Sequence, residues 1–259
     1  MKKIVYILIF TLAISCSKED NNINNTTGNN NTANPMSHLQ ATGTSSKDLL
    51  SSTTFKSMVI ELVYVDGFAP SQTSIDNFVS FLQERTFKPE GITVEKRAIS
   101  SPGSAPYTTA DIRDIEDVNR TKFNSANTIA VWAFFADGTS ANNSGNAVVL
   151  GTAYRNTSFV IYQKTIQDFS NSTFEPNRAV LETTVINHEF GHILGLTNLG
   201  APLQSSHEDP DHPKHCNEDN CLMFWASETG AGVNNLIGVN QAPQLDAQCI
   251  ADLQANGGK

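Results

Sequence analysis

The chain has 259 residues, 39% hydrophobic and 17% charged, which is enough for one or two packed domains. Its formal charge of −9 has the wrong sign for a nucleic-acid binder, and no basic cluster offsets it. Beyond the first fifteen residues no run of about 18 apolar residues occurs, so no later segment is long and apolar enough to cross a membrane as a helix.

Residues 1–15, MKKIVYILIFTLAIS, place two lysines before an almost unbroken apolar run. These are the charged and hydrophobic regions of a secretory signal, too short to span. The run ends at LAISC and resembles a bacterial lipoprotein signal, which implies that Cys16 becomes the acylated first residue of the mature chain. Acyl chains anchor at about 0.8 kcal/mol per buried methylene. The expected location is therefore the bacterial outer membrane, at the surface or facing the periplasm, and the SKED after Cys16 is similar to acidic tags that direct lipoproteins outward. The alternative is a soluble secreted protein with an incidental cysteine. Removing residues 1–15 takes Lys2 and Lys3 and no acid, which deepens the formal charge from −9 to −11. Residues 16–47 form an Asn/Ser/Thr-rich tract without apolar periodicity, expected to be a disordered tether with His38 exposed at its edge.

Residues 48–259 have the length of a typical single domain. SMVIELVYVDG, 57–67, alternates and is β-rich, so it predicts a strand. Residues 71–87 carry Ile75, Phe78, Phe81 and Leu82 at helical spacing behind Ser/Thr caps, and 92–100 alternate again, giving a βαβ start with parallel pairing. A second helix is expected over 108–123, with Ile112, Ile115 and Val118 as its apolar stripe. TIAVWAFFADG, 128–138, is almost wholly apolar and predicts a buried strand. GNAVVLGTAY and SFVIYQKTI predict two more strands, one at the sheet edge. Residues 178–196 predict a long buried helix striped by Ile186, Phe190 and Ile193. The chain then turns irregular until CIADLQA, a final helix.

The chemistry concentrates in HEFGHILGLTNLG, residues 188–200. His188 and His192 are four apart on a predicted helix, so both imidazoles share one face and can share one ion. Glu189, beside the first ligand, can orient a water and take its proton. Gly195 suits a helix end because glycine tolerates positive φ. Five of the six histidines fall between 188 and 215, a crowding that a plain loop does not need. A tetrahedral catalytic site takes three protein ligands and leaves one place open. Candidates for the third are His207, His212 and His215.

HExxHxxG opens the signature of the metzincin zinc proteases, and the sequence resembles that family. The position three beyond the glycine, where the third ligand would fall, holds Asn198. Further on, HCNEDNCLM, 215–223, matches the archaemetzincin pattern H-C-x4-C-x-M, so the resemblance is nearest to archaemetzincins with a long insertion. It implies His215 as the third ligand, with His207 and His212 less favoured, and Met223 as the Met-turn floor. The insertion is tolerable as surface loop because closure entropy grows only logarithmically with length. The resemblance further implies an α+β, metzincin-like fold: a twisted mixed sheet with backing helices and a long active-site helix up to about residue 195, then an irregular C-terminal subdomain, 196–259. It implies one catalytic Zn2+ and hydrolysis of peptide or protein substrates by metal-activated water with Glu189 as general base. The rival reading is a non-catalytic zinc-binding surface lipoprotein that retains the fold.

Three cysteines remain besides Cys16. The archaemetzincin pattern continues with a downstream CxxC that completes a structural zinc site, and here DAQC puts Asp246 in the place of its first cysteine. Cys216, Cys221 and Cys249, with Asp246, therefore imply either a second, structural zinc or a disulfide with one free thiol. Export favours the disulfide, with Cys216 and Cys221 the simplest pair.

Overall fold

A computed structural model of the chain describes residues 37–145, 147–170, 172 and 174–259. The leader of residues 1–15, Cys16 and the tether as far as residue 36 lie outside the described residues. The end of the expected tether is structured: Ser37–Leu39 form a 3-10 turn and Ser46–Leu50 a short helix, α1. This segment packs on the domain through polar groups. Thr42 Oγ1 donates to the Ala153 carbonyl at 3.3 Å, and buried Ser46 donates to the Leu194 carbonyl at 2.5 Å. His38 is half-buried against Phe123 instead of standing in solvent.

The alternating segment 57–65 becomes β1 (Ser57–Val65), followed by α2 (Gln72–Arg85) and β2 (Ile92–Ile99). β2 pairs parallel to β1 with Met58 opposite Ile92, the βαβ unit expected from the sequence. Next come α3 (Thr109–Asn119) and β3 (Thr128–Phe135), which pairs parallel to the other side of β1. β4 (Gly151–Arg155) and β5 (Ser158–Ile161) form a hairpin. β5 joins β3 in parallel and β4 pairs antiparallel at the edge, so the order is β2-β1-β3-β5-β4. The sheet is mixed, as the resemblance led one to expect. α4 (Gln163–Asp168) replaces the latter half of what the sequence suggested was one strand, and α5 (Arg178–Ile193) and α6 (Ala247–Ala255) complete the elements.

Two-residue periodicity divides β3 between two cores. Val131, Ala133 and Phe135 face α2 and α5, where Phe190 meets Phe78 and Phe159 edge to face at 5.1 and 6.1 Å. Trp132 and Phe134 face the layer of Ile112 and Ile115 on α3. Because both faces are covered, the strand carries almost no polar residue. Val118, expected on the α3 stripe, is 83% exposed, while Glu116 is buried. Steps of three rotate a position by about 60° off the face each time, and the second step takes residue 118 out of the contact. Buried Glu116 accepts from Arg120 at 2.6 Å and from Arg155 at 3.0 Å, which clamps the end of edge strand β4 to α3.

Candidate metal centres

α5 carries the first cluster. Its N-terminus is capped by Asn177, whose side chain accepts from the Ala179 and Val180 amides. Deeper in, the helix is buried all round from Val180 to Ile193, with His188 fully buried and His192 nearly so. Their Nε2 atoms face each other across 3.1 Å. Gly191, one residue before His192, lets the chain beneath come close: a Cβ there would lie 2.3 Å from Met223 Sδ. Met223 therefore packs directly under the turn that holds both imidazoles. Gly151 of β4 plays the same part on the opposite side, since a Cβ there would come within 2.6 Å of Glu189 Oε1. The helix ends two residues before Gly195, which has φ +85° and approaches Ala201 N so closely that no side chain fits.

After Gly195 the chain makes its detour. Thr197 and Asn198 both adopt positive φ, 50° and 71°. Thr197 Oγ1 donates to the Lys214 carbonyl, and Asn198 Nδ2 donates to Glu208 at 3.1 Å. Glu208 also accepts from the Lys214 amide at 2.8 Å, and it pairs with Cys216 in an antiparallel bridge. These contacts close the loop at its base and return His215 to α5, with ring centroids 5.4 Å from His188 and 5.1 Å from His192. His212 goes elsewhere: it stacks on Trp225 at 4.3 Å and bonds to Asp209 at 2.9 Å. His207 enters the cysteine cluster.

The donors of the first cluster fit a divalent ion. His188 Nδ1–H donates to the Leu222 carbonyl at 2.7 Å, and His215 Nδ1 faces the Pro213 carbonyl at 3.1 Å. That fixes Nε2 as the bare nitrogen on each ring, the arrangement metal-ligating histidines adopt. His215 Nε2 is buried with no hydrogen-bond partner. Burial holds the His192 imidazole neutral, its pKa pushed down to about 4. A carboxylate that sequence reasoning missed completes the group: Glu228, in the 3-10 turn Trp225–Glu228, has oxygens 3.6, 3.8 and 3.2 Å from the Nε2 atoms of His188, His192 and His215. Burial raises the Glu189 carboxyl well above the usual range, and the neighbouring Glu228 charge raises it further. Burial alone would raise Glu228 too, but the three imidazoles hold it well below.

The second cluster is closed and sulfur-rich. Cys216, Cys221 and Cys249 are buried free thiols, with no disulfide among them, and Cys221 and Cys249 sulfurs lie 3.7 Å apart. His207 Nδ1 lies 3.5 Å from Cys216 Sγ and 4.0 Å from Cys249 Sγ. Its Nε2 is held by buried Asp252 at 2.8 Å. Asp246 Oδ2 is 3.5 Å from Cys216 Sγ, while its other oxygen caps α6 by accepting from the Cys249 amide at 2.7 Å. His207, Cys216, Asp246 and Cys249 thus converge as a second donor set. Hydrogen bonds with Cys216 and Cys249 push the Cys221 thiol down to about 4. Asp252 was not singled out in the sequence, though Cys249, Asp252 and Leu253 form the buried face of α6. Glu228 left no comparable sign, being one acid in an irregular segment.

A cavity of about 300 Å3 opens beside the first cluster, lined by Glu189, His192, His215 and Glu228, by Lys214, and by edge-strand residues Gly151, Thr152 and Ala153. A larger one, about 630 Å3, lies between α2 and α5 and takes no residue from either cluster.

The mixed sheet with its backing helices, the buried helix under an antiparallel edge strand and the irregular C-terminal part give the chain an archaemetzincin-like fold. In particular the chain is similar to archaemetzincin from Methanopyrus kandleri, at 19% identity and a TM-score of 0.52, covering 78% of this chain and 96% of that one. It is more distantly similar to metalloproteinase-II from Bacteroides fragilis, at 11% identity and a TM-score of 0.41, covering 88% and 59%. No protein-family profile and no curated protein matches the sequence.

Proposed function

We propose that the chain is a zinc-dependent peptidase in which His188, His192 and His215 hold the ion, Met223 packs beneath it and Glu189 is the general base. The reading is carried by one observation: three imidazoles with inward-facing Nε2 atoms converge beside a buried carboxylate, on the wall of a cleft bordered by an edge strand. When bound, the ion polarises a carbonyl and lowers the pKa of water towards about 7. Glu189 takes the proton of the attacking water and passes it to the leaving amine. β4 offers backbone groups with which an extended peptide can pair. A second, structural ion is assigned to His207, Cys216 and Cys249, with Asp246 as the converging fourth donor and Cys221 beside Cys249 at 3.7 Å, a set suited to a closed zinc site. Acylation at Cys16 would tether this domain to the bacterial outer membrane through the Asn-rich segment.

One observation favours the non-catalytic alternative, a zinc-binding surface lipoprotein: the Glu228 carboxylate stands with the three histidines, and four protein donors are the mark of a structural site. The deciding measurement is bound metal and cleavage of a mixed peptide library by wild type and Glu189→Ala. Loss of about 10²–10⁴-fold in rate with metal content unchanged is expected. Metal bound with no cleavage by wild type would sink the peptidase reading.

A further inference from the structure

We propose that Glu228 is a fourth protein ligand of the ion at the histidine cluster in the resting protein, a carboxylate that substrate must displace. The proposal rests on the metal-site reading above and deepens it.

The distances carry the argument. Bonds of about 2.0–2.1 Å to nitrogen and oxygen, arranged tetrahedrally, separate neighbouring ligand atoms by about 3.3 Å. The His188 and His192 Nε2 atoms are 3.1 Å apart, and the Glu228 oxygens stand 3.2, 3.6 and 3.8 Å from the three imidazole nitrogens. These separations, measured to one or the other Glu228 oxygen, are of the length that neighbouring ligands of one ion show, and all four donors lie within 4.8 Å of one another. The contact with His215 is also not a hydrogen bond: its Nε2 lies 3.2 Å from Glu228 Oε1 yet has no partner of hydrogen-bonding geometry. Two ligands of a shared ion meet in that way, close and unaligned.

The backbone supports the placement. The Leu150 amide donates to the Glu228 carbonyl at 2.9 Å, and the Gly230 amide donates to the Val148 carbonyl at 2.8 Å. Val149 and Thr229 pair between them. The Glu228 backbone is therefore stitched to the segment that leads directly into β4, whereas its side chain is 24% exposed towards the cleft. The carboxylate can swing into the cleft with no change in its backbone hydrogen bonds. A peptide pairing with β4 would arrive where that carboxylate must leave. Peptide binding and opening of the fourth place are thereby the same event.

The test compares wild type, Glu228→Gln and Glu228→Ala as full chains, with cobalt(II) alone as the metal probe. Thiolate charge-transfer absorption reports the cysteine cluster separately from the histidine cluster. The expected result is about a tenfold or greater loss of cobalt affinity at the histidine cluster in both variants, with the thiolate signal unchanged. With metal saturating, acetohydroxamate should bind the variants about tenfold more tightly, because its place is no longer contested. Unchanged cobalt and acetohydroxamate affinities in both variants would overturn the proposal while leaving the peptidase reading intact. So would a rise in KM confined to peptides with a free N-terminus at unchanged cobalt affinity, which would assign Glu228 to the substrate amine. Shifts in both affinities with no peptide cleaved by any variant would uphold the ligand assignment and remove the peptidase reading.

Discussion

His215 and Cys216 are neighbours in sequence, yet their side chains enter different clusters. Extended backbone points successive residues to opposite sides, and the bridge to Glu208 holds this stretch extended. One short segment thus feeds two donor sets of opposite character. The histidine cluster uses nitrogen and carboxylate, borders a cleft, and draws its members from a rigid helix and two irregular segments. The cysteine cluster uses sulfur, is sealed, and ties the detour to the C-terminal helix α6. An ion in the first has a face to offer a substrate. In the second it has only the fold to hold. The detour is what couples them, because His207 lies within it and His215 at its end.

If that division of labour is right, the two clusters should respond in opposite ways to ligand removal. Cys249→Ser should cost one ion per chain and lower Tm by roughly 10 °C, since about 3–4 kcal/mol at 2–4 °C per kcal/mol is the scale for a domain of this size. His188→Ala should cost the other ion and abolish hydrolysis while moving Tm far less. Metal analysis and thermal melts on the same preparations decide it. A larger melting shift for His188→Ala would reverse the comparison.

Asp252→Asn probes the same cluster one step out. The carboxylate binds His207 Nε2 at 2.8 Å and accepts from the Gln204 amide at 2.7 Å, so it orients the ring and pins the detour together. Outer partners of this kind are worth about 10–100-fold in metal affinity. The substitution should weaken metal binding at the cysteine cluster by about tenfold and leave acetohydroxamate binding at the histidine cluster unchanged. Weakening at both would mean that the detour transmits disorder between them.

The sequence made some of this plain and hid the rest, for physical reasons. β1, β3 and α5 are legible because burial on one or both faces forces a period or an apolar run, and His188, Glu189 and His192 come with α5 because helical spacing sets their geometry. The detour is legible only as an interruption. Asn198 stands where a ligand was expected, and its actual work, a left-handed turn and a bond to Glu208, depends on a partner ten residues away. His207 was visible as a histidine but not its destination, which is fixed by Asp252 and α6. Glu228 lies in a 3-10 turn whose position is set by pairing with residues 148–150, a contact no local pattern encodes. The close approaches at Gly191 and Gly151 likewise depend on what lies across the core.

The smallest expected effect is at His212, and it sharpens the comparison by standing outside both clusters. Its ring stacks on Trp225 at 4.3 Å and bonds to half-buried Asp209, with the His212 side chain 41% exposed. A hydrogen bond and one exposed stacking contact at the surface add little to stability. His212→Ala should therefore shift Tm by no more than about 2–3 °C, with both ions retained. Trp225 begins the turn that carries Glu228. Hydrolysis should stay within about twofold of wild type if the pairing of Glu228 and Thr229 with residues 148–150 is the dominant support. A tenfold change with both ions still bound would instead assign the His212 stack a part in holding that turn.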